Sequence, residues 1–222
     1  MITLPLILKN GHLFVELAGN LWLFDTGAPT SFGESTALML DEQPFTISKS
    51  YLGLSASTLS EFVGIPCYGL LGTDVVGQFD HLLNSVNETL TISKTELKHS
   101  GRELSLSEFM GIPIVTAQIA GQNYRMFFDT GAQISYFQND SLKQFPADGV
   151  VTDFYPGFGE FQTSTHQVEV SLGDKRFTLR CGALPHLLGM TLMMADTQGI
   201  IGNQVLANRL IGFFPRRRAL CL

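Results

Sequence analysis

Apolar and polar residues alternate along much of this chain with a period of two, the spacing of a half-buried β-strand. Residues 14–24, FVELAGNLWLF, and residues 115–128, VTAQIAGQNYRMFF, each read as an alternating run, a glycine-containing turn and an apolar strand. The opening MITLPLILKNGH reads as a first strand, and HQVEVSLGDKRFTLRC (166–181) as a hairpin turning at LGDK. Two apolar strands closed by glycine follow, in GLLGTDVV (69–76) and GIIGNQVL (199–206). Each leads into a last hairpin, LLNSVNETLTIS (82–93) or LIGFFPRRRALCL (210–222). No long amphipathic helix is predicted, only a short one after each LLG or IIG. The pattern therefore predicts an all-β protein made of two related halves. Residues 1–92 form the first, 93–108 (SKTELKHSGRELSLSE) a polar linker, and 109–222 the second.

The halves are unequal. Tyr51 in YLGLS and Tyr155 in YPGFG both read as hairpin tips, with Gly53, Gly157 and Gly159 supplying the backbone freedom of a tight turn. Between Gly53 and Leu70 the spacing leaves room for one returning strand. Between Gly157 and Ile200 it leaves room for that strand and the 166–181 hairpin as well.

Composition narrows the class. Of 222 residues 45% are hydrophobic and 15% charged, mean hydropathy is +0.18, and there are 22 glycines and 17 phenylalanines. That is a well-filled globular chain rich in strands and turns, not a disordered one. A net charge of −6 gives no electrostatic reason to expect nucleic acid or an anionic membrane as partner. Cys67, Cys181 and Cys221 are scattered and odd in number, which points to free thiols in a reducing compartment. The N-terminal apolar run is short, holds a proline and has no basic residues before it, unlike a signal peptide, so a cytoplasmic protein is expected. The five histidines lack metal-ligand spacing, and neither a metal nor a cofactor is expected. RRR at 216–218 reads as a solvated turn, and Met190, Met193 and Met194 as core fillers.

Chemistry enters with a repeated frame, LFDTGAPTS at 23–31 and FFDTGAQIS at 127–135. A given Asp-Thr-Gly triplet is expected on the order of 0.05 times in a chain of this length. Here it stands twice, with Phe before, Ala after and Ser three residues beyond the Ala. Asp25 and Asp129 are 104 residues apart, close to half the chain, and Tyr51 and Tyr155 each follow their aspartate by 26.

Two Asp-Thr-Gly turns, each followed later by apolar-apolar-Gly, resemble the aspartic peptidases of the pepsin and retropepsin group. The Ala after each Gly and the size of the halves are nearer the retropepsin side, as in a single-chain version of its dimer. The resemblance implies a bilobal acid-protease fold with two pseudo-two-fold-related halves. Asp25 and Asp129 would be catalytic, sharing one proton because like charges at close range cannot both ionise readily. Thr26 and Thr130 would bond across to the opposite loop, Gly27 and Gly131 would allow close backbone approach, and Ala28 and Ala132 would complete the loops. Ser31 and Ser135 read either as support or as plain strand residues. The tips at Tyr51, Tyr155 and Gly157 would be flaps over an extended peptide or protein substrate, with Tyr155 on the longer one. The expected activity is that of a monomeric endopeptidase without cofactor. The alternatives are a peptide-binding module that keeps the fold without turnover, and a homodimer with paired half-sites.

Overall fold

The computed structural model describes residues 1–155 and 157–222; Pro156, within the YPGFG tip, lies outside them. Strands hold 51% of the chain and helices 15%, so the class is all-β as the alternation predicts. The first half carries β1 (Ile2–Lys9), β2 (His12–Leu17), β3 (Asn20–Phe24), β4 (Phe32–Gly33), β5 (Ala37–Leu40) and β6 (Gln43–Thr46). It continues with β7 (Ser50–Tyr51), β8 (Leu54–Ser55), α1 (Ala56–Val63), β9 (Gly69–Leu71), α2 (Thr73–Val76), β10 (Asp80–Asn84) and β11 (Thr89–Ser93). After β12 (Glu103–Ser105) and β13 (Ser107–Phe109) come β14 (Ile112–Ile119), β15 (Gln122–Phe128) and β16 (Ser135–Phe137). The long hairpin strands are β17 (Ala147–Tyr155), β18 (Gly159–Leu172) and β19 (Lys175–Gly182). The chain closes with α3 (His186–Met194), β20 (Gly199–Ile201), β21 (Leu210–Phe214) and β22 (Ala219–Cys221).

Two-residue turns set the registers. Asn10-Gly11, Ala18-Gly19, Met110-Gly111 and Ala120-Gly121 all have positive φ at both positions, the geometry whose twist matches a right-handed hairpin. The turns at Gly11 and Gly111 open one strand pair, those at Gly19 and Gly121 the next, so the duplication extends to turn chemistry. The hairpin at LGDK forms as predicted, with Leu172 facing Lys175.

Each half repeats one construction around its aspartate. β3 and β15 run parallel to β9 and β20, pairing Trp22–Phe24 with Gly69–Leu71 and Met126–Phe128 with Gly199–Ile201. β4 and β16 flank the same two strands from the other side, antiparallel. The LLG and IIG segments thus lie directly beside the strands that end in Asp-Thr-Gly. The C-terminal hairpin crosses over: β21 pairs with β10 and β22 with β12, in one sheet of ten strands. One apolar cluster is also common to both halves, joining Val15, Phe24 and Phe79 to Val115, Phe128 and Phe213.

Four expectations need correction. The strand returning after Gly53 is only the two-residue β8, and the rest of the segment is a helix: α1 buries Ala56, Leu59 and Val63 on one face, is capped by Ser55 and ends at left-handed Gly64. The linker is not all loop, since its residues 103–105 form β12, and β13 follows at Ser107–Phe109. The arginines at 216–218 do lie in the turn of the last hairpin, with Arg218 exposed, but two of them are not merely solvated. Arg216 and Arg217 both pair with Asp80, which is fully buried, and Arg217 stacks 3.8 Å from the Phe214 ring centroid. The α3 methionines are not core fillers: Met190, Met193 and Met194 are 50%, 78% and 75% exposed, because α3 turns Leu188 and Leu192 inward instead.

Candidate active site

Asp25 and Asp129 stand at the ends of β3 and β15, where the chain leaves an apolar strand for a tight loop. The neighbouring parallel strand holds each in place: Asp25 N–H donates to Leu71 O at 3.0 Å, and Asp129 N–H to Ile201 O at 2.9 Å. Thr73 and Asn203 then donate their amides to Ala28 O and Ala132 O, at 2.8 and 2.9 Å. Both loops are therefore clamped between the strand that enters them and the glycine-closed strand beside it.

Within each loop one carboxylate oxygen collects two backbone amides. Asp25 Oδ1 accepts from Gly27 and Ala28 at 2.8 and 3.1 Å, and Asp129 Oδ1 accepts from Gly131 and Ala132 at 2.9 and 3.1 Å. The two carboxyls stand close enough together for each to shift the other's proton affinity. Closeness of the loops requires glycine at both third positions. A Cβ on Gly27 would stand 2.2 Å from Asp129 Cγ, and one on Gly131 2.4 Å from Asp25 Cγ.

The threonines tie the loops reciprocally. Thr26 Oγ1 donates to Phe128 O at 2.6 Å and accepts from Thr130 N–H at 3.0 Å. Thr130 Oγ1 donates to Phe24 O at 2.7 Å and accepts from Thr26 N–H at 3.0 Å. Both side chains are fully buried, so all four backbone groups depend on these hydroxyls.

Ser31 and Ser135 act as support. Both are fully buried, and their hydroxyls accept the amides of Gly72 and Gly202 at 2.8 and 3.0 Å. Ser31 also bonds Asp74 at the start of α2, for which the second half has Gln204.

Electrostatics makes the pair hard to ionise. Burial pushes the Asp25 carboxyl well above the usual carboxylate range, and the charge of Asp129 pushes it further. Burial likewise raises Asp129. The loop amides favour the charged form and partly oppose both shifts. A pair in this setting keeps a proton where isolated carboxyls have lost theirs, and it titrates as a unit.

Neither a protein-family model nor a curated protein matches this chain. Its own geometry has to carry the functional reading.

The β17–β18 hairpin reaches the pair at Tyr155. Tyr155 comes close enough to Asp129 and Asp25 for their charges to raise its phenol, after burial, and it reaches Thr191 of α3. Phe154 stacks flat on Phe62 of α1, with ring centroids 4.6 Å apart and planes 9° from parallel. At the tip, a Cβ on Gly157 would be 3.8 Å from Leu52 O, in the turn between β7 and β8. Tyr51 is half-buried and packs against the same apolar cluster as Ala28, Phe62 and Phe154, while Ala132, Tyr155 and Val151 pack against a second cluster that includes Leu188. The structure thus brings Tyr51, Tyr155 and the Gly157 tip near one another, with Tyr155 the one that reaches the aspartates. The tip at Tyr51 is a stub of two residue pairs backed by a helix, whereas the Tyr155 arm is nine residues long.

Sequence reasoning missed Phe62, Phe154, Tyr136, Asp153 and His12, all of which stand around this site. Tyr136 alone had a local signal: it follows Asp129 by seven residues, as Phe32 follows Asp25. Among the described residues no group of three or more His, Cys, Asp or Glu side chains could hold a metal ion.

Proposed function

We propose that this chain is an aspartic endopeptidase of the pepsin and retropepsin type, with their bilobal fold. The observation that carries the reading is the close approach of two partly buried carboxyls supplied by two copies of one loop. A structural role does not call for such a pair, because burying adjacent like charges costs stability. Hydrolysis uses the arrangement directly. With one proton on the pair, the ionised carboxylate takes a proton from a water, whose oxygen attacks the peptide carbonyl carbon. The protonated partner donates a hydrogen bond to the carbonyl oxygen as it becomes an oxyanion. Proton transfer to the leaving nitrogen then breaks the C–N bond, with no covalent intermediate.

An extended peptide would lie between the loops and the β17–β18 flap, held by main-chain hydrogen bonds as an added strand. The apolar residues around Ala28 and Tyr51 on one side, and around Ala132 and Tyr155 on the other, favour apolar side chains flanking the cleaved bond. Both aspartates belong to one chain, so a monomer suffices. Three unpaired cysteines, two of them buried, fit a reducing compartment, and the cytoplasm is the location this reading favours. Among the described residues no helix is long and apolar enough to cross a membrane.

The test is incubation with an unfolded protein, products being read by mass spectrometry, with and without a peptide mimic carrying a hydroxyl at the tetrahedral carbon. New peptide termini whose formation the mimic blocks are expected, because the mimic takes the place of the attacked carbonyl. Tight binding of the mimic without any products would support the binding-module reading instead.

A further inference from the structure

The flap is anchored from below by one polar contact. Tyr136 lies on β16, the strand leaving the second aspartate loop, and is 3% exposed. Its phenol donates a hydrogen bond to Asp153 Oδ2 on β17, and Asp153 Oδ1 accepts the Phe154 amide at 2.8 Å. Burial and the Asp153 carboxylate both hold the Tyr136 phenol in its protonated form, so its role as donor is fixed. Side chains alternate along a strand, which puts Asp153 on the same face of β17 as Val151 and Tyr155. Those two neighbours pack against the same apolar cluster as Ala132 of the second loop, a cluster that includes Ile134.

Asp153 has no cation within ion-pair distance among the described residues. The titratable groups near it are Tyr136, Asp129 and His12 at the start of β2, whose charged form is disfavoured by burial. The first half has no counterpart. At the matching offsets from Asp25 stand Phe32, which lacks a hydroxyl, and Lys49, which donates to Glu34 O. The anchor is therefore specific to the long flap and is not a by-product of the duplication.

Resting on the endopeptidase reading, we propose that Asp153 is a positioning residue with two effects: its bond to Tyr136 sets the flap over the second loop, and its charge opposes a second negative charge on the aspartate pair. The two effects separate by substitution. Asp153→Asn keeps an oxygen to accept the Tyr136 hydroxyl but loses the charge, whereas Tyr136→Phe loses the bond and keeps the charge.

The experiment is the pH dependence of kcat and KM on one short peptide for wild type, Asp153→Asn, Asp153→Glu and Tyr136→Phe, with Trp22 fluorescence reporting the fold. In Asp153→Asn the basic limb is expected to move down by about 0.5 to 1 pH unit at little change in KM. Asp153→Glu should return it towards wild type. Tyr136→Phe should leave the limb in place and raise KM by about 10- to 100-fold, the worth of a hydrogen bond to a charged group. A basic limb that stays put in Asp153→Asn, or a Tyr136→Phe variant with wild-type KM, overturns the proposal. A wild type without turnover would contradict the endopeptidase reading separately. The charge effect is then still read by carbon-13 titration of the aspartate carboxyls, where an unmoved last step in Asp153→Asn would refute it.

Discussion

Asp25→Asn and Asp129→Asn are each expected to lower kcat/KM for peptide cleavage by about 10³-fold or more. An amide can neither take the proton of the attacking water nor pass one to the leaving nitrogen. The pair works as a unit, so the double variant should be scarcely worse than either single one. Folding should survive, because the Asn side-chain oxygen can still accept the Gly27 and Ala28 amides, or those of Gly131 and Ala132. Stability at neutral pH should even rise. A carboxyl whose folded-state value lies above its unfolded value binds protons more tightly when folded, so its contribution falls as pH rises from the unfolded value of 3.8 through the raised one. Removing the charge removes that cost. Steady-state kinetics beside thermal unfolding reads both effects, and a single variant with near-normal turnover would make its aspartate a structural residue only.

The second large effect is expected at the threonines. Thr26→Val with Thr130→Val preserves shape but strands four buried backbone groups, Thr26 N–H, Phe128 O, Thr130 N–H and Phe24 O. At roughly 1 to 2 kcal/mol for each unmade bond, the double variant should lose about 4 to 8 kcal/mol. That is a large share of a typical domain's stability and corresponds to a fall in Tm of about 10 to 25 °C. The single variants should lose about half as much, and catalysis should fall with them as the carboxyls lose their alignment. Denaturant titration measures the loss; a double variant within about 1 kcal/mol of wild type would show that the loops are held some other way.

What could be read from the sequence was local or repeated. Alternation of period two, X-Gly turns and the doubled Asp-Thr-Gly frame exposed the strands, the duplication and the aspartates, because each signal lies within a dozen residues. The elements that escaped depend on distant partners or on short patterns. α1 carries apolar residues at 56, 59 and 63 between Ser55 and Gly64, a helical spacing with both caps, but only eight residues long. α3 is apolar all round, so composition suggested burial and could not show which face meets the core. The arginines at 216 and 217 read as merely solvated because their partner, Asp80, lies more than 130 residues earlier. The stack of Phe154 on Phe62 and the crossing of the C-terminal hairpin into the first sheet are non-local in the same way.

The central claim is that two carboxyls share one proton and turn over a peptide only in that state. Its most direct measurement is kcat/KM against pH on a single short peptide, from pH 2 to 9. Trp22, buried beneath the first loop, offers an internal check of folding at every point. That check matters in acid because His81 is buried against Phe24, Phe79 and Phe213, and burial lowers it to about 4. Its folded value lies below the ordinary 6.5, so the stability it contributes is full above pH 6.5 and is lost as pH falls towards 4, about 3 kcal/mol in all. Over the pH range in which the protein is folded, the account predicts a bell. Its optimum should lie in the mildly acidic range, at about pH 4 to 6, because Ala28 and Ala132 offer no side-chain hydroxyl to an ionised carboxylate and both aspartates are raised by burial. A rate that climbs steadily into the alkaline range while the protein stays folded, or an optimum below about pH 3, would contradict the shared-proton pair.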